Sequence, residues 1–374
     1  MNAGEGQNTM KWFRNNSATA APDEPSADPV TGQRELLDGT ALRKAIETVF
    51  QVMFKRLPDE TALSYYTKRY ESGVDFGHIV LELAGSEEFG IWSRNRLFVP
   101  PGHFYSPIVD KSEAETYFDR QRGAPLPETI TGITIDRPAI LDLWNELVPL
   151  MRDNPFPATK SKELRYYFEN PNFTYGDGSI WHAMMRHFKP RRVIEIGSGY
   201  SSANMIDTIE GYFDHDVELT FVEPFPELLQ SLIGDTSSRV RILPTRVQDC
   251  DLSIFRTLQA GDVLFIDSTH VLRTGSDVCF ELFEVFPVLA DGVIVHIHDM
   301  FWPFEYREDW VVNDNRSWNE IYAVRALLTG NPEWKIIMFN DYLAKTARDL
   351  VKRTYPTLLK NPGGGLYLEK RAKS

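Results

Sequence analysis

The stretch VIEIGSGYSS, residues 193–202, indicates the fold of the chain. Its first residues are mostly β-branched and predict a buried strand, and its last residues predict the start of a helix. Gly197 and Gly199, on either side of Ser198, allow a sharp turn and a close backbone approach to a ligand. Because a helix start also offers free N–H groups, the stretch predicts a cofactor-binding loop in an α/β domain.

Strand and helix patterns alternate along the chain around this stretch, which predicts a mostly parallel sheet with helices on both faces. The predicted strands are Val193–Ile196, Leu219–Glu223, Val240–Leu243, Val263–Asp267, Val293–His298, Lys335–Phe339 and Gly365–Glu369. The predicted helices between them are Ala203–Thr208, Glu227–Ile233, Leu252–Leu258, Asp277–Leu289 and Glu320–Leu328. The last two strands are expected to supply an antiparallel strand at the edge of the sheet.

Composition and hydrophobic spacing divide the 374 residues into four segments. Residues 1–40 are polar and rich in Ala and Pro, which predicts a disordered tail. Residues 41–96 have apolar side chains at helical spacing and predict a small all-α module of three short helices. Residues 97–160 are expected to connect this module to the α/β domain, through a proline-rich loop and then an amphipathic helix. Residues 161–374 are expected to form the α/β domain.

The overall composition argues against several classes of partner. A formal net charge of −13 repels phosphate backbones, so we expect no nucleic-acid partner. No segment approaches the roughly 20 consecutive apolar residues that a membrane helix requires. Cys250 and Cys279 form neither a metal motif nor a disulfide framework. These features predict a cytoplasmic protein that does not bind membranes.

Residues near the glycine loop help to identify its ligand. A dinucleotide-binding loop requires a third glycine, but Ser202 stands at that position, and Glu195 is also foreign to that motif. Glu223 ends the second predicted strand, where a carboxylate can accept the hydroxyl protons of a ribose. Gln248 and Asp249 follow the third strand, where contacts with an adenine ring are expected. The carboxylates also allow structural interpretations: a helix-cap partner for Glu195, a solvated strand end for Glu223 and a helix N-cap for Asp249.

Four runs of sequence resemble bacterial class I S-adenosylmethionine (SAM)-dependent methyltransferases. They are YGDGSIWHAMMRHFKPRRVIEIGSGYSS (175–202), FIDSTHVLRTGSDV (265–278), GVIVHIHDMFWPFEY (292–306) and GGGLYLEK (363–370). The resemblance extends over roughly residues 103–370. It implies the Rossmann-like, seven-stranded class I methyltransferase fold with SAM as the cofactor, and it implies that Glu195 helps to orient the methionine end of SAM. It leaves the acceptor open.

The helical module has a resemblance of its own. The runs VFQVMFKRLPDETALSYYTKRYESG (49–73) and ELAGSEEF (82–89) resemble a bacterial helical repeat domain of unknown function, related in pattern to phycobilisome linker proteins. This resemblance implies that residues 41–90 dock onto a protein partner. The alternative is that the module is only a helical extension of the α/β domain.

The carboxyl ends of parallel strands meet at one edge of a sheet, and ligands bind there. We therefore expect Asp267 and His270, after the fourth strand, to lie near His298 and Asp299, after the fifth. His298 or His270 is the candidate general base, and Asp267 or Asp299 would orient its imidazole. Asp267, Tyr175 and Asp177 are expected to join the cofactor site. His296 shares the face of the fifth strand on which His298 lies, and a buried core position is the alternative for both.

The same four side chains are also candidate metal ligands. Asp267, His270, His298 and Asp299 offer mixed nitrogen and oxygen donors, and some O-methyltransferases use a divalent metal to lower the pKa of the acceptor hydroxyl. Those relatives usually present an Asp followed by Asp-Asn, whereas this chain has HIHDM at residues 296–300. The departure from their pattern makes a metal the less favoured interpretation.

The sequence therefore predicts a SAM-dependent methyltransferase. Its acceptor is expected to be a small molecule or a sugar, methylated at oxygen with deprotonation by a His/Asp pair. Two alternatives remain open. One is an NAD(P)-dependent oxidoreductase, and the other is a SAM-binding protein that acts mainly as an interaction module.

Overall fold

The computed structural model describes residues 37–54, 56–94, 98–99, 101–234 and 240–372. The chain forms two compact units, with the boundary between Phe98 and Val99. The predicted tail, residues 1–40, lies outside the described residues as far as residue 36, and the first helix already begins at Gly39. Among the described residues, no helix has both the length and the apolar character needed to cross a lipid bilayer.

The first unit is built from short helices around a small core of its own. The helices are α1 (Gly39–Phe54), α2 (Glu60–Glu71), α3 (Phe76–Ala84) and α4 (Glu87–Arg94). Leu42, Ile46, Phe50 and Phe54 recur every four residues, so one face of α1 is buried. The sequence predicted three helices here, and α4 is the one it missed, because only Gly85 and Ser86 separate it from α3. The docking role expected of residues 41–90 stays a prediction.

The second unit contains a seven-stranded sheet. Its strands are β1 (Arg192–Ile196), β2 (Glu218–Val222), β3 (Val240–Leu243), β4 (Val263–Ile266), β5 (Ile294–Ile297), β6 (Trp334–Phe339) and β7 (Leu366–Lys370). The strand order is β3-β2-β1-β4-β5-β7-β6, and β1 to β5 pair in parallel. The Rossmann-like fold expected from the sequence is thereby confirmed.

One detail of the sheet differs from the expectation. Strand β7 is antiparallel to both of its neighbours, but it lies between β5 and β6 rather than at the edge. The edge strand is β6. Strand β7 runs antiparallel to β5, so it begins at the end of the sheet where β4 and β5 finish. Residues 363–365, which precede β7, therefore lie at that end.

Helices surround the sheet. They are α5 (Lys111–Gln121), α6 (Arg137–Arg152), α7 (Tyr175–Phe188), α8 (Tyr200–Tyr212), α9 (Glu227–Ile233), α10 (Asp277–Phe280), α11 (Phe286–Val288), α12 (Glu320–Leu328), α13 (Asn340–Thr346) and α14 (Arg348–Thr354). A π turn, Glu281–Val285, joins α10 to α11 and interrupts the single helix predicted there. The helix predicted at Leu252–Leu258 is a 3-10 segment, Leu252–Thr257.

Four helices of this unit lie where the sequence analysis assigned none: α5, α7, α13 and α14. Helix α5 falls in the stretch expected to be loop, within the predicted connecting segment 97–160, and residues 99–160 lie in the same compact unit as the sheet. Helix α7 has glycines in its first turn, and its residues 176–185 are all buried, so its sequence shows no amphipathic pattern. A Cβ at Gly178 would lie 1.9 Å from the Tyr166 hydroxyl oxygen, which is why glycine is needed there.

Candidate functional site

The glycine loop lies between the ends of β1, β2 and β4. Gly197 has a φ of +74°, in the left-handed region that favours glycine. A Cβ on Gly197 would also lie 1.8 Å from the carbonyl oxygen of Asp267. The backbone N–H of Ser198 donates a hydrogen bond of 3.1 Å to Oε2 of Glu223. The loop is thus tied to the end of β2 on one side and packed against the end of β4 on the other.

Glu195 supports the loop from within the protein. Its carboxylate is fully buried and accepts hydrogen bonds from the hydroxyls of Ser201 and Ser202, in the first turn of α8. The Ser202 hydroxyl in turn accepts a hydrogen bond of 3.1 Å from the N–H of Gly199. Burial raises the pKa of Glu195 to about 8, although the two serine hydroxyls lower it. The geometry is that of a helix-cap partner, and Glu195 has no exposed surface with which to touch a ligand.

A cavity of about 140 Å³ opens in front of this loop. It is lined by Asn172, Phe173, Gly197, Ser198, Gly199, Tyr200, Ser201, Glu223, Leu228 and Asp267. Five of the expected cofactor residues are therefore brought together here: the three loop residues, Glu223 and Asp267. Among the described residues, the buried Ser198 hydroxyl has no hydrogen-bond partner, so it is free to bond a ligand.

Sequence reasoning missed several of the residues that line this cavity. Asn172 and Phe173 come just before α7, and Tyr200 is the first residue of α8. Leu228 lies on α9, after β2. No local sequence pattern marks these four, but Tyr200 directly follows the glycine loop, and this adjacency was the available signal.

Three expected cofactor residues do not line the cavity. The carboxylate of Asp249 pairs with the guanidinium of Arg246, with an Nε–Oδ2 distance of 2.8 Å. The side-chain amide of Gln248 donates to the carbonyl of Gly275. The Tyr175 hydroxyl donates a hydrogen bond to the Glu169 carboxylate, and its ring stacks on that of Phe168. Each of these side chains is engaged elsewhere in the fold.

The four residues expected to form a reaction centre do lie together. Asp267 Oδ1 is 3.5 Å from His270 Nε2 and 3.4 Å from His298 Nδ1. Asp299 closes the ring, with Oδ2 3.5 Å from His270 Nε2 and Oδ1 3.5 Å from His298 Nδ1. Nitrogen and oxygen atoms alternate around this ring, which we call the His/Asp cluster. Asp267 belongs both to the cluster and to the cavity wall.

A second layer of carboxylates lies behind the two imidazoles. Glu320 Oε2 is 2.8 Å from His270 Nδ1. Asp177 Oδ2 is 3.4 Å from His298 Nε2, and its other oxygen accepts hydrogen bonds from the N–H of Gly364 and the side-chain amide of Asn340. Asp177 therefore lies beside the His/Asp cluster and does not line the cavity. Glu320 was not predicted, because it lies 50 residues from His270 and only the fold brings the two together.

The backbone at the cluster adopts an unusual conformation at two of its members. His270 has a φ of +61° and Asp299 a φ of +57°, in the left-handed region. Asp and His enter this region more often than most other residues, but for any residue with a Cβ it costs some conformational energy. A Cβ on Gly364 would lie only 2.7 Å from the Asp299 Cα, so the chain passes very close at this point. Such strain is maintained only where the surrounding structure enforces it, and it is common at functional sites.

Burial and the carboxylates together set the charge of the cluster. Burial lowers the pKa of His270, but Asp267 and Glu320 outweigh it and raise that pKa to about 10. Burial likewise opposes charge on His298, yet the charges of Asp267, Asp299 and Asp177 raise its pKa well above the ordinary value. Burial alone would raise the pKa of Asp267, but the two imidazoles lower it. The four carboxylates around the two imidazoles thus favour positive charge at the centre of the cluster.

His296 is separate from this chemistry. It is fully buried, and its ring stacks on Phe265 with centroids 4.0 Å apart. Burial lowers its pKa well below the ordinary value, so it is neutral. His296 is therefore a core histidine, which is one of the two interpretations that the sequence left open.

Comparison with known proteins adds to this geometry. Residues 194–300 match the family model described as a methyltransferase domain. An uncharacterised protein of Archaeoglobus fulgidus is 29% identical over 164 residues, which are 43% of this chain and 73% of the archaeal one.

Two solved structures are among the similar ones. The S-adenosylhomocysteine (SAH)-bound methyltransferase PaMTH1 of Podospora anserina has 14% identity and a TM-score of 0.35, over 72% of this chain and 100% of that one. The O-methyltransferase TomG of Streptomyces achromogenes, involved in tomaymycin synthesis and solved with SAM, has 13% identity and a TM-score of 0.33, over 70% and 96% of the two chains.

The family match covers most of the residues that line the cavity and all of the His/Asp cluster. It begins in β1, at Ile194, and ends at Met300, just after β5. It therefore includes the glycine loop, Glu223 and all four members of the His/Asp cluster. Residues 194–300 of this chain match the methyltransferase-domain family model, in agreement with the sequence resemblance.

Proposed function

We propose that this protein binds SAM in the cavity at the glycine loop and transfers its methyl group to an oxygen atom of a small-molecule or sugar acceptor. One observation carries the proposal: Asp267 lies both in the wall of the cavity and in the His/Asp cluster. A cofactor held by the loop would therefore present its reactive end next to groups that can orient an acceptor and take its proton. The methyltransferase-domain match over residues 194–300 supports this assignment.

The cavity offers the contacts that such a cofactor needs. The partly exposed carboxylate of Glu223 can accept hydrogen bonds from the two ribose hydroxyls. The first residues of α8 and Ser198 line the cavity, so N–H groups at the start of that helix and the Ser198 hydroxyl can bind polar groups of the ligand. The role of Glu195 is indirect, because it fixes the Ser201 and Ser202 hydroxyls and through them the loop.

The reaction itself is an in-line displacement at carbon. The acceptor oxygen forms a bond to the methyl carbon while the carbon–sulfur bond breaks, and the bonding electron pair moves to sulfur to leave SAH. The proton of the acceptor hydroxyl passes to the Asp267 carboxylate, the member of the His/Asp cluster that lines the cavity. The raised pKa values of His270 and His298 keep both imidazoles protonated, so they orient this carboxylate rather than accept the proton. Alignment of the three reacting atoms accounts for most of the rate enhancement in such a step, and proton transfer adds to it. Because carboxylates surround the site, we expect a neutral acceptor rather than an anionic one.

The test begins with binding. Calorimetry on the full chain is expected to show that SAM and SAH bind and that NADH does not, and Glu223→Gln should weaken the binding of SAM. Incubation of the protein and SAM with a panel of hydroxylated small molecules and sugars should then release SAH. Comparable affinity for NADH and SAM would favour the oxidoreductase alternative. Tight SAM binding without turnover on any acceptor would favour the interaction module.

A further inference from the structure

We propose that a second cavity of the second unit binds a small molecule that carries a phosphate group on an aromatic body. The cavity measures about 460 Å³ and is lined by Arg152, Asn154, Phe156, Phe168, Lys352, Arg353, Thr354, Tyr355, Pro356 and Thr357. It shares no lining residue with the cavity at the glycine loop, so this site goes beyond the proposed function and can be tested without SAM.

The charge of the cavity walls is opposite to that of the chain. Arg152, Lys352 and Arg353 line the cavity, and none of its described lining residues is an Asp or a Glu. The chain as a whole has a formal net charge of −13. Three cations around one cavity attract an anion, whereas the acidic surface of the rest of the chain repels a long polyanion such as a nucleic acid. The walls therefore favour a small anionic ligand.

Two of the three cations are available to a ligand. Within the described part of the chain, the side chains of Lys352 and Arg353 form no ion pair and no hydrogen bond. Asp349 lies one turn earlier on the same helix, α14, but it pairs with neither of them and does not line the cavity. Cations in the last turn of a helix also interact favourably with the helix dipole, but that interaction does not occupy their N–H donors.

The third cation, Arg152, is held in one orientation. Its Nε and Nη2 atoms donate to the carbonyl of Thr354, 202 residues away in the sequence, over 3.1 and 2.6 Å. Among the described residues its Nη1 atom donates to nothing, so that end of the guanidinium is free. The neighbouring carboxylate, Asp153, pairs instead with Arg186, with an Oδ2–Nη2 distance of 2.9 Å. A fixed guanidinium loses little conformational entropy when it binds an oxyanion.

The number of cations indicates which anion the cavity suits. A phosphate group carries a charge of about −1.5 to −2 near pH 7 and has three acceptor oxygens, so it can contact Arg152, Lys352 and Arg353 together. A carboxylate has one charge and two oxygens, and it would leave one of the three cations without a partner. Phosphate is therefore the better match.

Aromatic rings form another part of the walls. The rings of Phe156 and Phe168 have centroids 6.0 Å apart and lie nearly perpendicular to each other. Tyr175 stacks on Phe168 with centroids 5.2 Å apart, and the hydroxyl of Tyr355 lies 2.9 Å from that of Ser179, so these rings are fixed by their neighbours. Rigid aromatic walls with a few charged groups are typical of sites for small molecules, and they bind a flat ring at low entropic cost.

The experiment is calorimetry on the full chain with phenyl phosphate, inorganic phosphate and benzyl alcohol. We expect one phenyl phosphate to bind per chain, about 10-fold more tightly than inorganic phosphate, and benzyl alcohol not to bind. Raising the ionic strength from about 0.01 M to about 0.15 M should weaken the binding of phenyl phosphate, because it shortens the screening length from about 30 Å to about 8 Å. Saturation with SAH should leave this binding unchanged, because the two cavities share no lining residue.

The variants locate the ligand without a risk to the fold. Lys352→Gln and Arg353→Gln remove side chains without internal partners, and each should weaken phenyl phosphate binding about 10-fold. Arg152→Gln should have at least the same effect, but it also removes two hydrogen bonds to Thr354, so thermal melting must show that this variant is folded. The matched control is Arg348→Gln, which changes an exposed cation of the same helix outside the cavity and should bind like the wild type.

Several results would overturn the proposal. Absence of phenyl phosphate binding is one, and equal affinity in the wild type and in Lys352→Gln and Arg353→Gln is another. Competition between SAH and phenyl phosphate would place the ligand in the cofactor cavity instead. Equal affinity for inorganic phosphate and phenyl phosphate would refute the role of the aromatic walls, and equal affinity for benzyl alcohol and phenyl phosphate would refute that of the cations.

Discussion

Gly197 and Asp267 approach each other so closely that a Cβ on Gly197 would lie 1.8 Å from the Asp267 carbonyl oxygen. The amide of Asp267 also donates a hydrogen bond of 2.9 Å to the carbonyl of Ile196, the residue before Gly197. The cofactor loop and the His/Asp cluster are therefore joined through the backbone. We therefore expect a substitution in the loop to alter the geometry of the cluster, and a substitution in the cluster to alter the loop.

The first prediction concerns Gly197→Ala. The added methyl group meets the Asp267 carbonyl, and alanine is strained at a φ of +74°. Together these effects should lower the free energy of unfolding by about 2–4 kcal/mol and abolish measurable SAM binding. Urea denaturation and calorimetry measure the two effects. Gly211→Ala is the control, because a Cβ there meets nothing within 4 Å, and it should bind SAM normally. Normal SAM binding by Gly197→Ala would contradict the assignment of the loop.

The second prediction concerns Glu223→Gln. Loss of the charge removes the stronger hydrogen bonds to a ribose, each worth about 1.5–3 kcal/mol, so affinity for SAM should fall about 10- to 100-fold. Calorimetry gives the dissociation constant. Thermal melting checks that a weaker hydrogen bond from the Ser198 N–H to residue 223 has not unfolded the protein. Glu218→Gln is the matched control at the start of the same strand, since its side chain is 74% exposed. An equal loss in both variants would argue against a cofactor role for Glu223.

The third prediction is a pH dependence that originates at Glu195. Burial raises its pKa from 4.5 to about 8 in the folded protein, so between these values the folded state retains a proton that the unfolded state releases. The contribution of Glu195 to stability is therefore complete below about pH 4.5 and is lost as the pH rises to about 8. One pKa unit corresponds to about 1.4 kcal/mol, so the loss is several kcal/mol.

Glu195→Gln removes this titration. Urea denaturation from pH 5 to pH 8 gives the free energy of unfolding of both proteins. This free energy should fall as the pH rises in the wild type, and it should fall less steeply in the variant. Glu218→Gln, a change at an exposed carboxylate, should keep the wild-type slope. The interpretation fails if the wild type and Glu195→Gln share one slope.

The fourth prediction separates chemistry from cofactor binding. His298→Gln changes the His/Asp cluster but not the cavity wall, because His298 is not among the residues that line the cavity. With an acceptor found by the SAH-release screen, methyl transfer should fall about 10²- to 10⁴-fold while the dissociation constant for SAM stays the same. Glu223→Gln should show the opposite pattern. Full turnover by His298→Gln would exclude the cluster from the reaction.

Much of the fold could be predicted because its strands are locally encoded. The segments that form β1 and β4 are apolar runs rich in β-branched residues, and such runs predict buried strands wherever they occur. Helix α7 was missed because Gly176 and Gly178 lower its helix propensity and all its faces are covered. The position of β7 inside the sheet was missed because strand order depends on tertiary packing, which leaves no mark on a single strand.

The candidate site was predictable to the extent that its residues follow strands. Asp267 and His298 could be placed together because parallel strands end at one edge. Glu320 could not, since it lies 50 residues from His270 and only the fold brings the two together. Asp249 does not line the cavity, and Arg246, three residues earlier, is the local ion-pair partner that the sequence analysis overlooked.

The N–H of Gly364 donates to the buried carboxylate of Asp177, a residue 187 positions earlier in the chain. During synthesis the glycine loop and the His/Asp cluster therefore leave the ribosome well before the segment that completes their buried surroundings. Until β7 pairs with β5, Asp177 lacks this donor, and β5 beside the cluster is the edge strand of the sheet. A nascent chain should thus acquire its cofactor loop early and its reaction centre last.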